Sequence, residues 1–375
     1  MKILFIVHHL DPNNGWSRYT LDFITELQKN GAEILCLVNE VTDHPNIAQK
    51  KCLESSQKYI ANIFLSWKTS RSVNDAIREF LPDIIHFPVE PYGTMIPFLE
   101  RGKAKIVLGA HGTYSFLPLT APVWYRFISK FVARLTYAKT DLNICDSEYT
   151  KQHFVRNLVQ MNAWSLVQGK IAVLSGGIDL SGVPKQKQKI PSDTKEILCV
   201  GQVKSRKGMK ESIDALALVR ENFVYHIVGS FREKDPYIAL LRKKIAEYGL
   251  EKKVILEGRV SDEELKKLYE KADLYLMLSI NSGIHFEGYG LVYLEANARG
   301  IPCIGPNDSG VSDAIVDSKT GYLVNQFDPV SVAKVIEKVL RDHTIDSQDC
   351  IAWAEKNSSE NKTRNLLDLY TKLVS

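Results

Sequence analysis

The sequence predicts an α/β chain built as two doubly wound, parallel-sheet halves, and three observations predict it. Short β-rich runs alternate with longer amphipathic segments over most of the 375 residues. The alternation stops once, at residues 181–196, where the polar run Val183-Pro184-Lys185-Gln186-Lys187-Gln188-Lys189 lacks apolar periodicity, and then a second series begins. The length also exceeds what one hydrophobic core usually covers.

In the first half, residues 2–7, 33–38, 84–87, 106–109 and 142–145 are apolar runs too short for helices, and read as strands buried on both faces. Residues 19–30 and 73–80 read as helices between them, and residues 39–70 as variable loops. In the second half the strands are residues 197–200, 224–228, 254–257, 274–278 and 302–304. Ser261-Asp262-Glu263-Glu264 is a capping box that opens a helix with Leu265, Leu268 and Tyr269 on one face. Late helices are expected at 328–340 and 350–373. Two Rossmann-like domains facing a central cleft follow, with ligands outside the carboxyl ends of the strands. The expected divisions are 1–183 on the acceptor side, 184–355 for the second domain, and a 356–375 helix packing back on the first.

Composition narrows the function. Hydrophobic residues at 45% and charged residues at 25% are ordinary globular values, and a net charge of +4 is too small and scattered for a nucleic-acid groove. The six cysteines lie far apart with no CxxC pair, which fits buried reduced thiols rather than a zinc site or a disulfide framework. The apolar run at residues 3–7 is too short for a signal peptide and is followed by His8-His9, and no stretch has the length of a membrane span. A cytoplasmic protein is expected. The segment from Trp124 to Arg134 is aromatic on one side and cationic on another. It fits an interfacial helix at the inner face of a membrane, but a helix packed on its own sheet would look much the same and is the preferred reading.

The chemistry concentrates in Glu287-Gly288-Tyr289-Gly290-Leu291-Val292-Tyr293-Leu294-Glu295, which follows a strand and opens a helix. The first amides of a helix lack intrahelical partners and favour anions, and Gly288 and Gly290 allow close approach to the backbone. Eight helical steps put the two acids roughly 12 Å apart, the span of a sugar, a diphosphate and a ribose. A capping glutamate and an unrelated surface glutamate fit that spacing equally well. Val200-Gly201-Gln202-Val203-Lys204-Ser205-Arg206-Lys207-Gly208 sets three cations at another strand end, as a diphosphate site or a solvated basic turn. After the first strand come His8-His9 and Asn13-Asn14-Gly15-Trp16, where Gly15 can present its amide to a phosphate. No GxGxxG is present, which weakens a nicotinamide or flavin reading. His111, in Gly109-Ala110-His111-Gly112, ends a strand of the first half.

Jointly these motifs resemble those of the retaining glycosyltransferases of family 4, which have the GT-B fold. Glu287 to Glu295 is similar to that family's E-x7-E signature, Lys207-Gly208 to its lysine-glycine, and Val254-Ile255-Leu256-Glu257-Gly258-Arg259-Val260 to its strand-glycine segment beside the nucleobase. Asp146-Ser147-Glu148-Tyr149-Thr150 and Gly177-Ile178-Asp179 resemble motifs that close its first domain. The resemblance implies ribose binding by Glu295 and donor-sugar binding by Glu287. The amides of Tyr289, Gly290 and Leu291, with Lys207, would hold the diphosphate, and Gly288, Gln202, Arg206 and Val260 would complete the donor site. His111 would lie by the sugar and the Gly15 loop would close over the phosphates. No metal or other cofactor is implied. The implied reaction moves a hexose or N-acetylhexosamine from a UDP- or GDP-sugar to a hydroxyl of a saccharide or lipid-linked acceptor, in bacterial cell-surface polysaccharide or glycoconjugate synthesis. Departures are Gln202 where the family usually has arginine, Asn14-Gly15 for a glycine pair, Ser309 before Gly310, and Asp313 for a glutamate. Gln202 keeps open an inactive binding protein on this fold, and a sugar-nucleotide epimerase is the other alternative.

Overall fold

The computed structural model describes residues 1–11, 15–60, 62–111, 123–183, 192–282 and 285–375, apart from the side chains of Trp16 and Trp124. The chain forms two compact units, one of Met1–Asp179 with Ser359–Ser375 and one of Leu180–Ser358. The first unit thus ends ahead of residue 183, and the chain returns to it at Ser359 rather than 356.

In the first unit the described strands are β1 (Lys2–Ile6), β2 (Glu33–Val38), β3 (Ala48–Lys51), β4 (Ile84–Phe87), β5 (Lys105–Ala110), β6 (Leu142–Cys145) and β7 (Ile171–Val173). They pair in parallel in the order β3-β2-β1-β4-β5-β6-β7, so the winding reverses beside β1. Helices α1 (Gly15–Lys29), α2 (Ile63–Phe80), α3 (Val123–Lys139) and α4 (Glu148–Gln160) belong to this unit. The second unit has β8 (Lys195–Val200), β9 (Phe223–Val228), β10 (Val254–Gly258), β11 (Leu274–Leu276), β12 (Cys303–Pro306) and β13 (Gly321–Val324). Their parallel order is β10-β9-β8-β11-β12-β13, with the reversal between β8 and β11. Its helices are α5 (Met209–Leu216), α6 (Pro236–Glu247), α7 (Asp262–Lys271), α8 (Leu291–Asn297), α9 (Pro329–Asp342) and α10 (Ser347–Lys356), after which α11 (Ser359–Val374) rejoins the first unit. Two parallel Rossmann-like sheets are thus the predicted fold class, found.

The period-2 rule of a strand builds the first core. Ile3 and Phe5 of β1 face one side, packed with Phe23, Ile24 and Leu27 of α1 and Leu366 and Tyr370 of α11. Leu4 and Ile6 face the other, with Val73 and Ile77 of α2, Tyr137 of α3 and Phe154 of α4. The returning helix also makes a polar bond in this core, from the Tyr370 hydroxyl to His86 Nδ1 at 2.6 Å. Burial, with the His111 charge added, pushes His86 down to about 3, so the ring is neutral. Tyr370→Phe keeps the ring and strands that nitrogen. It should cost about 1–3 kcal/mol in urea unfolding, and an unchanged midpoint would show the bond to be idle.

Several expected boundaries move. β3 lies in the stretch read as loop; its Ala-Gln-Lys-Lys sequence is a polar edge, where the backbone pairs and the side chains carry no apolar signal. Helix α2 starts ten residues before residue 73, capped by Asn62, whose side chain accepts from the Leu65 amide. The expected helix 350–373 is two helices parted at Asn357-Ser358, where the Asn357 side-chain amide donates back to the Trp353 carbonyl. The strand expected to reach residue 278 stops at Leu276. The Ser261 capping box forms as read, with both of its reciprocal bonds.

Candidate active site

The second unit assembles its candidate site at the carboxyl ends of β8 to β12. After β8, the basic loop makes one tight turn at Ser205–Lys207 and closes on Gly208 at φ +66°. A Cβ at Gly208 would lie 1.7 Å from the Leu278 carbonyl oxygen, so no other residue fits. The Ile280 amide donates to the Arg206 carbonyl at 2.9 Å and fastens this loop to the chain beyond β11. Lys207 is thereby delivered to Glu287, with Nζ 2.6 Å from Oε2, and Arg206 approaches the same oxygen at 3.5 Å. The Glu287 backbone is pinned as well, its carbonyl accepting from the Gly310 amide at 2.9 Å. Burial pushes the Glu287 carboxyl up, but the Lys207 and then the Arg206 charge outweigh it and hold it below the usual carboxylate range. The acid is a fixed, largely buried anion.

Helix α8 opens on Gly290, whose left-handed φ of +90° turns the chain from loop to helix. A Cβ there would meet the Tyr293 ring at 2.7 Å. That ring is itself locked, its hydroxyl donating to the Met277 carbonyl and its face edge-on to Tyr275. Tyr289 is buried and donates to Asn357 Oδ1 at 3.3 Å, while Gly288 and Leu291 are half-buried beside it. One turn into α8, Glu295 accepts from the Tyr269 hydroxyl of α7 at 3.2 Å. The Arg299 guanidinium covers the Tyr269 ring at 4.4 Å and donates to the Glu295 carbonyl. Val260 follows β10, half-buried, just after Gly258, whose carbonyl accepts from the Gly229 amide.

Gln202 is exposed and lines a pocket of about 440 Å³ with Val203, Lys204, Ser230, Phe231, Arg232 and Asp235. Of the two cations expected to stand in for an arginine at 202, Lys204 lines this pocket together with Arg232, and Arg206 approaches Glu287 instead. Arg232 escaped the sequence reading because it lies more than twenty residues beyond the basic loop, and only the pairing of β8 with β9 brings the two strand ends together.

In the first unit His111 ends β5, and its ring is held at both nitrogens. Nδ1 is 2.6 Å from Asp146 Oδ2 and Nε2 is 2.6 Å from the Pro88 carbonyl oxygen. Burial alone would push the imidazole down; the Asp146 charge and bond outweigh it and raise the ring to about 9. His111 is thus an imidazolium donating from both nitrogens. Asp146 was read only as part of a domain-closing motif. The register pairs Ala110 with Cys145, which sets residues 111 and 146 side by side, and that adjacency was the missed signal. The other Asp146 oxygen is buried without a hydrogen-bond partner among the described residues. Gly15 opens α1, and Asn13 and Asn14 of its motif lie outside the described residues. His8 bonds the Tyr92 hydroxyl at 3.1 Å and His9 the Ser17 hydroxyl at 2.9 Å. Glu287, Lys207 and Arg206 are therefore in direct contact, Glu295, Gln202 and Val260 share their unit, and His111 and Gly15 belong to the other.

The comparisons follow this division. Residues 13–181 match the model described as Glycosyltransferase Family 4, and residues 183–357 match Glycosyl transferases group 1. A putative colanic acid biosynthesis glycosyltransferase of Escherichia coli K12, WcaL, is 30% identical over 169 residues, which is 44% of this chain and 41% of that protein. The aligned part thus spans well under half of that relative. A glycosyltransferase of Rickettsia africae has the same fold over 100% of this chain and 98% of its own, at TM-score 0.80 and 19% identity. HepE of Anabaena, solved with UDP and glucose, matches over 99% of this chain and 100% of its own at TM-score 0.73 and 17% identity. With a glycosyltransferase model on each unit and a shared two-sheet fold, the chain belongs to the GT-B glycosyltransferase superfamily.

Proposed function

We propose that this chain is a retaining, metal-independent glycosyltransferase that moves a hexose or N-acetylhexosamine from a UDP- or GDP-sugar to a hydroxyl acceptor, in cell-surface polysaccharide or glycoconjugate synthesis. The observation that carries it is the Lys207–Glu287–Arg206 cluster at the strand ends, eight residues ahead of a second anchored acid, Glu295, which sits one turn into α8 rather than at the end of an unbroken helix from Glu287. A buried carboxylate accepts the hydroxyls of a sugar, and adjacent cations and helix-start amides take the diphosphate charge that a metal would otherwise carry. The colanic acid relative and the UDP-bound neighbour support the substrate class.

In this reading Glu287 receives donor-sugar hydroxyls and Glu295 the ribose hydroxyls. Lys207, released from Glu287 in part, binds the diphosphate together with the amides of Tyr289, Gly290 and Leu291, and Gln202, Lys204 and Arg206 add to that grip. The bond from the anomeric carbon to the leaving phosphate oxygen breaks as the acceptor oxygen bonds on the same face. The acceptor proton passes to the leaving diphosphate, so no protein nucleophile is needed. The same reading assigns His111 to the donor sugar, as a fixed positive charge.

A thermal-shift panel of UDP, GDP, ADP and their sugar conjugates, run in EDTA, tests this. A matched ligand at 100 times its Kd stabilises by about 2.7 kcal/mol, which moves the midpoint visibly. Silence from all of them at millimolar concentration would sink the proposal, and a response that requires added magnesium would overturn its metal-independent part.

A further inference from the structure

We infer that α3, extended by the start of α2, is a docking face for an anionic lipid bilayer. Among the described residues, helix α3 is tied into its unit through Tyr125, Val132 and Tyr137, which are buried, and through the Thr136 hydroxyl, which donates to the Gly93 carbonyl at 3.1 Å. Another side carries a row of exposed apolar residues. Val123, Phe127, Phe131 and Leu135 recur at four-residue steps with Ile128 beside them; Val123 and Phe127 are 81% and 82% exposed. Single exposed apolar residues are ordinary, but a continuous stripe of five along one helix marks an interaction surface.

Charge selects the occupant. Helix α3 carries Arg126, Lys130, Arg134 and Lys139 and no acidic residue. Arg126 and Lys130 stand one four-residue step apart along the border of the apolar stripe, whereas Arg134 donates to the Met161 and Asn162 carbonyls of its own unit. A second, smaller group lies on α2. Phe64 (66% exposed) and Trp67 are in contact at 5.5 Å between ring centroids, and the Arg71 guanidinium covers the Trp67 ring at 4.1 Å. Residues 63–74 again hold two cations, Lys68 and Arg71, and no acid. Both helices rest on the same segment, Glu90–Phe98: Ser66 bonds Thr94 at 2.8 Å, and Lys139 donates to the Pro97 carbonyl at 2.7 Å. Aromatic and aliphatic side chains flanked by cations, without acids, suit the boundary between acyl chains and anionic headgroups. A two-fold contact with a second copy would set these same cations against themselves. No helix among the described residues is long and apolar enough to cross a membrane, so the contact is peripheral.

The inference is independent of the transfer chemistry and is tested without it. The full chain is sedimented with vesicles of phosphatidylcholine alone and with one quarter phosphatidylglycerol, at low and high salt. The chain should pellet with the anionic vesicles only, and less as salt rises. Phe127→Ser with Phe131→Ser should lower partitioning about tenfold, since binding scales with buried apolar area. The melting midpoint should hold, because both rings are exposed. Should that variant misfold, Lys130→Glu decides, with an expected loss of several-fold. The inference is overturned by wild-type chain left in the supernatant of anionic vesicles, by variants that pellet like wild type, or by a dimer in solution that the serine variant dissolves.

Discussion

Glu287→Gln is expected to lower turnover by about a hundredfold or more while leaving nucleoside-diphosphate binding intact or tighter. Losing one preorganised charged contact at a reacting centre typically removes about 3 kcal/mol of transition-state stabilisation. Glutamine keeps the shape and a carbonyl acceptor but discards the charge that Lys207 and Arg206 fix in place. In the wild type the Lys207 ammonium sits 2.6 Å from that carboxylate, so a diphosphate must share it. In the variant the competition is gone. The unliganded protein should melt earlier, because one half of a largely buried ion pair remains alone, at a cost of about 3–5 kcal/mol. UDP or GDP should then raise the midpoint by more than in the wild type. Glu295→Ala should behave oppositely. It removes the acceptor bonded to Tyr269 at the proposed ribose end, and should raise the donor Kd about tenfold with little change in kcat. Steady-state kinetics of the two variants separate the roles, and equal effects on kcat in both would remove the assignment of sugar and ribose ends.

The contrast between these acids and His111 shows what a linear sequence carries. Strands β2, β4 and β6 were legible to the residue because parallel strands in a doubly covered sheet are continuous apolar runs. β3 was illegible because an edge strand is held by backbone bonds and here exposes Lys50 and Lys51. β7, of three residues, is too short to show a period. The Lys207 and Glu287 loops were legible because each is a contiguous motif. Their direct ion pair was not, since it depends on how the loop after β8 is fastened to Ile280. Tyr269 and Arg299, which support Glu295, were read as an amphipathic face and as nothing at all. Supporting contacts come from neighbouring strands and helices, and only the register supplies them.

The His111–Asp146 pair turns that unread register into a measurable quantity. Its imidazole is displaced from 6.5 up to about 9, and the carboxylate beside it is the cause that wins over burial. A group whose folded value is raised stabilises fully below its unfolded value and loses that contribution as pH rises through the folded one. The first unit should therefore be most favoured by this pair below pH 6.5 and weaken progressively towards and beyond pH 9. The amount at stake is about 3 kcal/mol, as an upper order of magnitude. Asp146→Asn keeps the shape and removes the charge, leaving burial opposed only by the Pro88 carbonyl bond and the Glu90 charge. The His111 Cε1–H resonance, expected to titrate near 9 in the wild type, should titrate well below that in the variant. Stability of the variant should be lower at pH 6 and nearly flat from pH 7 to 9, where the wild type declines. Parallel pH curves for the two proteins would mean that Asp146 does not hold the proton on His111. A matching fall in turnover, traced by the same titration, would tie the imidazolium charge rather than its position to the donor sugar.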